Sequence, residues 1–237
     1  METERREIKT KEGYTYVFDV RKDTGYDATV SDNIVIDEEF DEDIYEIDGH
    51  FSKNGSALDI GANIGAFSIY AIYKGAKRVF SFEPESDNFA CLENNVKENY
   101  LKKKIHLFKF GISDTNKQTM INVGQGASFV EDVKIIPHHI TDSLPKQEIS
   151  VVTLEEAVLQ TGRTKFDVVK VDVEGSEYDI FKNPPEYIMN MFKYITMEFH
   201  ITSPEKFGNM IAMLSKTHKV RTLGSYETGG NLWAEKY

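Results

Sequence analysis

From Ala57 to Phe199 the chain alternates short apolar runs with stretches of helical period, and this alternation constrains the fold more than any other feature. Ala57 to Ile60, Arg78 to Phe82, Ile105 to Phe110, Phe166 to Val171 and Tyr194 to Phe199 read as strands. Ile64, Phe67, Ala71 and Ile72 keep helical period until Gly75, and a second helix spans roughly Ser86 to Tyr100. A further helix opens near Glu177 and ends before Asn183-Pro184-Pro185. Ser203-Pro204 gives the next one an N-cap and a first-turn proline. The run Phe166-Asp-Val-Val-Lys-Val171 is densely β-branched, as a strand covered on both faces requires. Such alternation implies right-handed crossovers and an α/β, doubly wound, mainly parallel seven-stranded sheet. Lys219 to Leu223 and Leu232 to Tyr237, joined across Gly229-Gly230, add a C-terminal antiparallel hairpin.

The flanks of this pattern are less regular. Tyr14 to Val20 alternates like a strand, Thr29 to Ile36 reads as a strand that pairs with it, and the first dozen residues read as frayed. Asp37 to Asp48 is strongly acidic, with Phe40, Ile44 and Ile47 at helical spacing. It reads as an amphipathic helix solvating its outer face, or as a rim selecting a cationic or polar substrate. Residues 1–55 are therefore an N-terminal extension packed on a main domain of residues 56–237. Between residues 118 and 154 the rhythm breaks, with a hairpin around Gly124-Gln125-Gly126 and a strand near Ile149 to Thr153.

Composition excludes several classes of function. With 40% apolar residues the chain can bury a core. The longest nearly uncharged stretch, Ile60 to Tyr73, is too short and too polar to cross a bilayer. The opening METERREIKTKEG has no apolar leader, so a cytoplasmic setting is expected. The single Cys91 excludes a disulfide framework and a cysteine-built zinc site. Net charge is −11, and residues 1–56 hold 16 acids against 7 bases. Lys102-Lys103-Lys104 is too small a basic cluster to grip a phosphate backbone, so neither a nucleic-acid nor a membrane partner is expected.

In a doubly wound sheet the ligand sits beyond the C-terminal strand ends, where strand order reverses. The first such loop is Asp59-Ile-Gly61-Ala-Asn63-Ile-Gly65. Its glycines let the backbone approach a ligand, Asn63 tolerates a left-handed conformation, and the helix start behind offers free N–H groups. Glu83, ending the next strand region twenty-four residues beyond Asp59, stands where an acid accepts both hydroxyls of a ribose. It also reads as an acid at a helix N-terminus. Gly111-Ile-Ser113-Asp114 follows the third strand, as an adenine contact or an Asx-type turn. With Asn63 at the second glycine position, the loop departs from the dinucleotide fingerprint.

Leu58-Asp-Ile-Gly-Ala-Asn-Ile-Gly65 with Glu83 resembles the class I S-adenosylmethionine-dependent methyltransferases. Asp167-Val-Val-Lys-Val-Asp172-Val-Glu174-Gly175-Ser-Glu177 and Met197-Glu198-Phe-His200 resemble the paired signatures of the FkbM family within that class. Ser81-Phe-Glu-Pro84, Ile112-Ser-Asp114, Gly126-Ala-Ser128 and Val152-Thr-Leu-Glu155 fall in the same order, although the family more often has aspartate at the place of Glu155. The resemblance covers about residues 56–200. It implies transfer of a sulfonium methyl group to a hydroxyl of a sugar, polyketide or similar small metabolite. It also implies that Asp59, Gly61, Asn63 and Gly65 hold the methionine portion, Glu83 the ribose, and Ser113 and Asp114 the adenine.

Methyl transfer to an alcohol needs a positioned acceptor and a group that takes its proton. Asp172, Glu174, Glu177, Glu198 and His200 gather at strand ends facing the cofactor loop. His200 or Glu174 is the expected general base, with Asp172 and Glu198 orienting the acceptor. Ser176 with Asp179 also fits a helix capping box, and strand-end carboxylates are often satisfied by loop amides. The same set suits Mg²⁺, which would acidify a bound hydroxyl, but a metal-free site is preferred. A nicotinamide-dependent oxidoreductase and a non-catalytic binding module are the competing readings. His138 and His139 read as solvent-facing.

Overall fold

The computed structural model of the protein describes residues 2–22, 28–124, 128–130 and 144–237. Its centre is a sheet of seven strands: β3 (Ser56–Ile60), β4 (Arg78–Phe82), β5 (Ile105–Phe108), β10 (Phe166–Val171), β11 (Phe192–Phe199), β12 (His218–Ser225) and β13 (Gly229–Lys236). Their spatial order is β12-β13-β11-β10-β3-β4-β5. The five from β11 to β5 run parallel, while β13 and β12 pair antiparallel at the far edge. The chain builds outward from β3 through β4 to β5, then returns to lay β10 on the other side of β3. That reversal creates a crevice between the C-terminal ends of β3 and β10. Every residue of β3 and β10 is buried, as expected for central strands of a covered sheet.

The helices follow from local chemistry. Helix α2 (Ala66–Tyr73) is buried almost all round and fills the space between the sheet and the N-terminal segment. Glu85 caps α3 (Ser86–Glu98) by accepting from the amides of Asp87 and Asn88 at 3.0 and 2.7 Å. Ser203 accepts from the Lys206 amide at 3.2 Å and, with Pro204 in the first turn, starts α7 (Pro204–Leu214). The expected helix after β10 starts at Glu177 and ends before Asn183 but is a single turn, α5 (Glu177–Ile180), and a further turn, α6 (Glu186–Met189), follows Pro184-Pro185. The capping box is not made, since the Ser176 side chain forms no cap bond.

A second sheet, in the order β6-β9-β7-β8, is built from β6 (Gly111–Ser113), β7 (Lys117–Val123), β8 (Ser128–Val130) and β9 (Lys146–Thr153). It is followed by α4 (Leu154–Gln160). Here the expected strand Ile105 to Phe110 stops at Phe108, and Gly111 starts this other sheet. Strands β7 and β8 pair antiparallel, but Gln125, Gly126, His138 and His139 lie outside the described residues. In the C-terminal pair the turn is at Tyr226–Thr228, and Gly229-Gly230 begins β13.

The N-terminal segment departs most from expectation. The first residues form β1 (Thr3–Lys9), paired antiparallel with β2 (Thr15–Arg21). Thr29 to Ile36, expected as a strand, lies within the helix α1 (Ala28–Asp37). Asp32 and Ile36 are buried there, as is Glu39 in the turn that follows, and Asp32 meets the Arg21 guanidinium and backbone N–H. The spacing of four residues sets Asp32 and Ile36 on one helical face. The acidic helix is only a π-helical turn, Glu38–Glu42, ended by Asp43 at φ 49°. Phe40 still packs among Tyr16, Phe18, Tyr70 and Tyr73, and Ile47 is fully buried. Among the described residues no helix is long and apolar enough to cross a membrane.

Candidate functional site

The crevice is open to solvent and is lined from both sides of the topological reversal. Gly61 and Asn63 come from the loop after β3, Glu83 and Pro84 from the loop after β4, and Asp172 and Glu174 from the loop after β10. Gly61 has φ +81°, and a Cβ there would lie 1.7 Å from the Asp172 carbonyl oxygen. No other residue lets these two loops meet so closely. Asn63 takes the left-handed conformation, with φ 48°.

Glu83 is 5% exposed. Its Oε2 accepts the Asn63 amide at 2.8 Å and its Oε1 accepts the Glu85 amide at 2.9 Å. Asn88 donates a longer bond of 3.4 Å to Oε1, and Arg21 in turn donates to Asn88 at 2.7 Å. Burial pushes the Glu83 carboxyl up, the amides of Glu85 and Asn63 pull it down, and it settles at about 7. The helix-capping role open to Glu83 belongs to Glu85 instead. Ile112, Ile121, Ile149 and Val151 extend an apolar wall beyond this carboxylate.

Four expected cofactor contacts are not among the residues that line the crevice. Asp59 is fully buried behind the loop, bonded by Ser68 Oγ at 2.5 Å and facing Lys170 Nζ at 3.6 Å. Gly65 stands at the N-cap of α2, away from the crevice lining. After β5, Gly111 and Ile112 reach the crevice, whereas Asp114 pairs with Lys182 at 3.1 Å and Ser113 contacts Asp114.

At the other end His200 is held between two carboxylates. Its Nε2 lies 3.0 Å from Glu174 and its Nδ1 lies 2.9 Å from Glu177, which is fully buried and also accepts the Gly175 amide at 3.0 Å. Burial pushes the imidazole down, but the bonds to Glu174 and Glu177 outweigh it and lift it to about 11. With both ring nitrogens facing carboxylates the imidazolium is favoured, which speaks against the expected role of general base. Asp172 Oδ2 accepts Tyr45 Oη at 3.3 Å and faces Lys170 Nζ at 3.6 Å, while its Oδ1 is buried with no hydrogen-bond partner. Glu198 lies outside the crevice lining; burial and the Asp172 charge raise its carboxyl to about 7, against the pull of His200. Ligand atoms of Asp172, Glu174 and His200 lie within 4.8 Å of one another, so a divalent ion would compete with the His200–Glu174 bond.

A family model described as the methyltransferase FkbM domain matches residues 59–223, most of the chain, and spans both sides of this crevice. The chain belongs to the FkbM methyltransferase family. Among relatives, the 31-O-demethyl-FK506 methyltransferase FkbM of Streptomyces tacrolimicus is 23% identical over 183 residues, covering 66% of this chain and 69% of that protein. The AMB antimetabolite synthetase AmbE of Pseudomonas aeruginosa is 22% identical over 200 residues, covering 70% of this chain. The match spans only 9% of that synthetase. The crystal structure of the methyltransferase FkbM from Methylobacillus flagellatus has a TM-score of 0.52 at 14% identity, covering 89% of this chain and 55% of that one. The fold is that of these methyltransferases.

Within this FkbM-family site, residue spacing does not reveal Lys170, Tyr45 and Asn88. Lys170 sits inside a β-branched run that reads only as strand, and Tyr45 belongs to a segment whose acidity reads as a solvated face. The one available signal is chemical: a lysine within a run of valines has to find buried carboxylates.

Proposed function

We propose that this protein is an S-adenosylmethionine-dependent methyltransferase that methylates a hydroxyl of a small metabolite such as a sugar or polyketide. The observation that carries this reading is the presence of Glu83, Asp172 and Glu174 in one crevice at the reversal of strand order. The residues suit the cofactor. Each Glu83 oxygen can accept a ribose hydroxyl in addition to its amide, and the apolar wall of Ile112, Ile149 and Val151 suits a flat base. When bound, S-adenosylmethionine supplies a methyl group already activated by its sulfonium.

The chain itself has to align the acceptor oxygen and take its proton. Asp172 is best equipped to take the proton, because Tyr45 and Lys170 engage Oδ2 and Oδ1 keeps a free lone pair in the buried lining. Glu174, fixed by the His200 imidazolium, orients the hydroxyl. The Streptomyces relative is named for a 31-O-demethyl substrate, which supports an oxygen acceptor. A net charge of −11 favours a small molecule over a nucleic acid.

The test is calorimetric titration of S-adenosylhomocysteine into the wild type and Glu83→Gln, with NAD as control. Loss of a charged hydrogen-bond acceptor is expected to weaken binding about thirtyfold or more. A wild type that ignores S-adenosylhomocysteine, or takes NAD instead, overturns the reading.

A further inference from the structure

Lys170 lies on the central strand β10 between residues that exclude water: Val168, Val169 and Val171 are fully buried, and Lys170 is 4% exposed. Its Nζ donates to the Gly61 carbonyl oxygen at 2.7 Å, stands 3.6 Å from both Asp59 Oδ1 and Asp172 Oδ2, and lies over the Tyr45 ring, 5.6 Å from its centroid. Among the described residues no other lysine or arginine pairs with either carboxylate. One ammonium thus touches the cofactor loop on one strand and the acceptor-side aspartate on the next.

Around this ammonium, carboxyl groups outnumber cations. Glu38 and Glu39 from the N-terminal segment, and Glu174 and Glu198 from the strand ends, bear on Asp172 or share its field. Glu39 is 2% exposed, burial pushes its carboxyl well above the ordinary range against the pull of Lys170, and its Oε2 has no hydrogen-bond partner. His200 is already committed to Glu174 and Glu177. Such a cluster is best satisfied by a ligand that brings positive charge.

We propose that Lys170 is a positioning residue with two roles. It fixes the Gly61 carbonyl, and its charge offsets part of that of Asp172, so that the balance of the two sets how far the charged cofactor is held in preference to its neutral-sulfur product. The inference rests on the cofactor reading above. In the transfer the acceptor oxygen forms a bond to the methyl carbon, the sulfur–methyl bond breaks with its electron pair left on sulfur, and the hydroxyl proton passes to a carboxylate. The positive charge on sulfur disappears, and with it the attraction of the acidic end. Product release is thereby favoured by the same charges that hold the cofactor.

The experiment measures affinities for S-adenosylmethionine and S-adenosylhomocysteine separately in the wild type, Lys170→Met, Lys170→Gln and Asp172→Asn, with melting curves for each. Removing the lysine charge is expected to shift the ratio toward S-adenosylmethionine, and Asp172→Asn to shift it toward S-adenosylhomocysteine, each by about fivefold. A loosened fold weakens both ligands together and cannot move the ratio in opposite directions. Lys170→Gln keeps a donor for the Gly61 carbonyl, so it should retain more affinity for both ligands than Lys170→Met at the same ratio. Should the methionine variant fail to fold, the glutamine and asparagine variants still decide. A ratio unmoved in them, or moved in one direction by both, overturns the proposal. A wild type that binds neither ligand overturns the cofactor reading first, and this one with it.

Discussion

Glu83 is buried in the crevice, yet the proposed cofactor reading needs it ionised to accept two hydroxyls, and these demands conflict. Burial raises its carboxyl from an ordinary 4.5 to about 7 despite the amides of Glu85 and Asn63. An acid whose folded value exceeds its unfolded value contributes stability that is full below the unfolded value and lost as pH rises through the folded one. Between pH 5 and pH 8 the wild type should therefore lose about 2.5 kcal/mol relative to Glu83→Gln, as read by urea unfolding. Glu198 titrates in the same window but is common to both proteins, so the difference isolates Glu83. Over that window S-adenosylhomocysteine should bind the wild type more tightly as the carboxylate forms, and the glutamine variant should show no such rise. Glu83 and Gly61 are legible in the sequence because strand-end position in a parallel sheet dictates their place. Lys170 and Tyr45 are not, because nothing in the spacing says which carbonyl or carboxylate a buried side chain will reach across two strands or from a distant segment.

At the scale of elements, strands buried in the sheet are the most legible, since β10 and β4 coincide with their apolar runs. Local pattern fails where a tertiary contact outweighs propensity, and α1 is the clearest instance. Val30, Ile34, Val35 and Ile36 favour a strand, yet burial of Asp32 against Arg21 accompanies the helical face. Arg21 also reaches Asn88, so this pair ties the N-terminal segment to the residue behind Glu83. Asp32→Asn removes the carboxylate bonded to the buried Arg21 guanidinium and should cost about 3–5 kcal/mol in unfolding free energy. If the two segments were independent, the loss would stay under about 1 kcal/mol, as for an exposed pair. The acidic stretch misleads for the same reason: Glu39 is among its most buried side chains, whereas acidity alone suggests a solvated surface.

The whole molecule is held by cores that cross the boundary drawn at residue 55. Phe18, Val20, Ile36, Tyr45 and Ile47 pack in one cluster with Phe67, Tyr70, Leu92 and Trp233. Burying such a side chain contributes about 1.5–3 kcal/mol, so these five together contribute roughly 10 kcal/mol. That is comparable with the entire stability of an ordinary domain, about 5–15 kcal/mol. A chain beginning at residue 52 would also expose the apolar side of α2 and leave Asp172 without the Tyr45 hydroxyl. It should show no cooperative melting transition, elute as an aggregate in gel filtration and fail to take up S-adenosylhomocysteine. A truncated chain that melts cooperatively as a monomer would make the first fifty residues a detachable cover, and the acceptor end would then have to be built by β10 and β11 alone. The contact of Tyr45 with Asp172 argues against that, because it runs from the N-terminal segment to the carboxylate that the proposed chemistry uses.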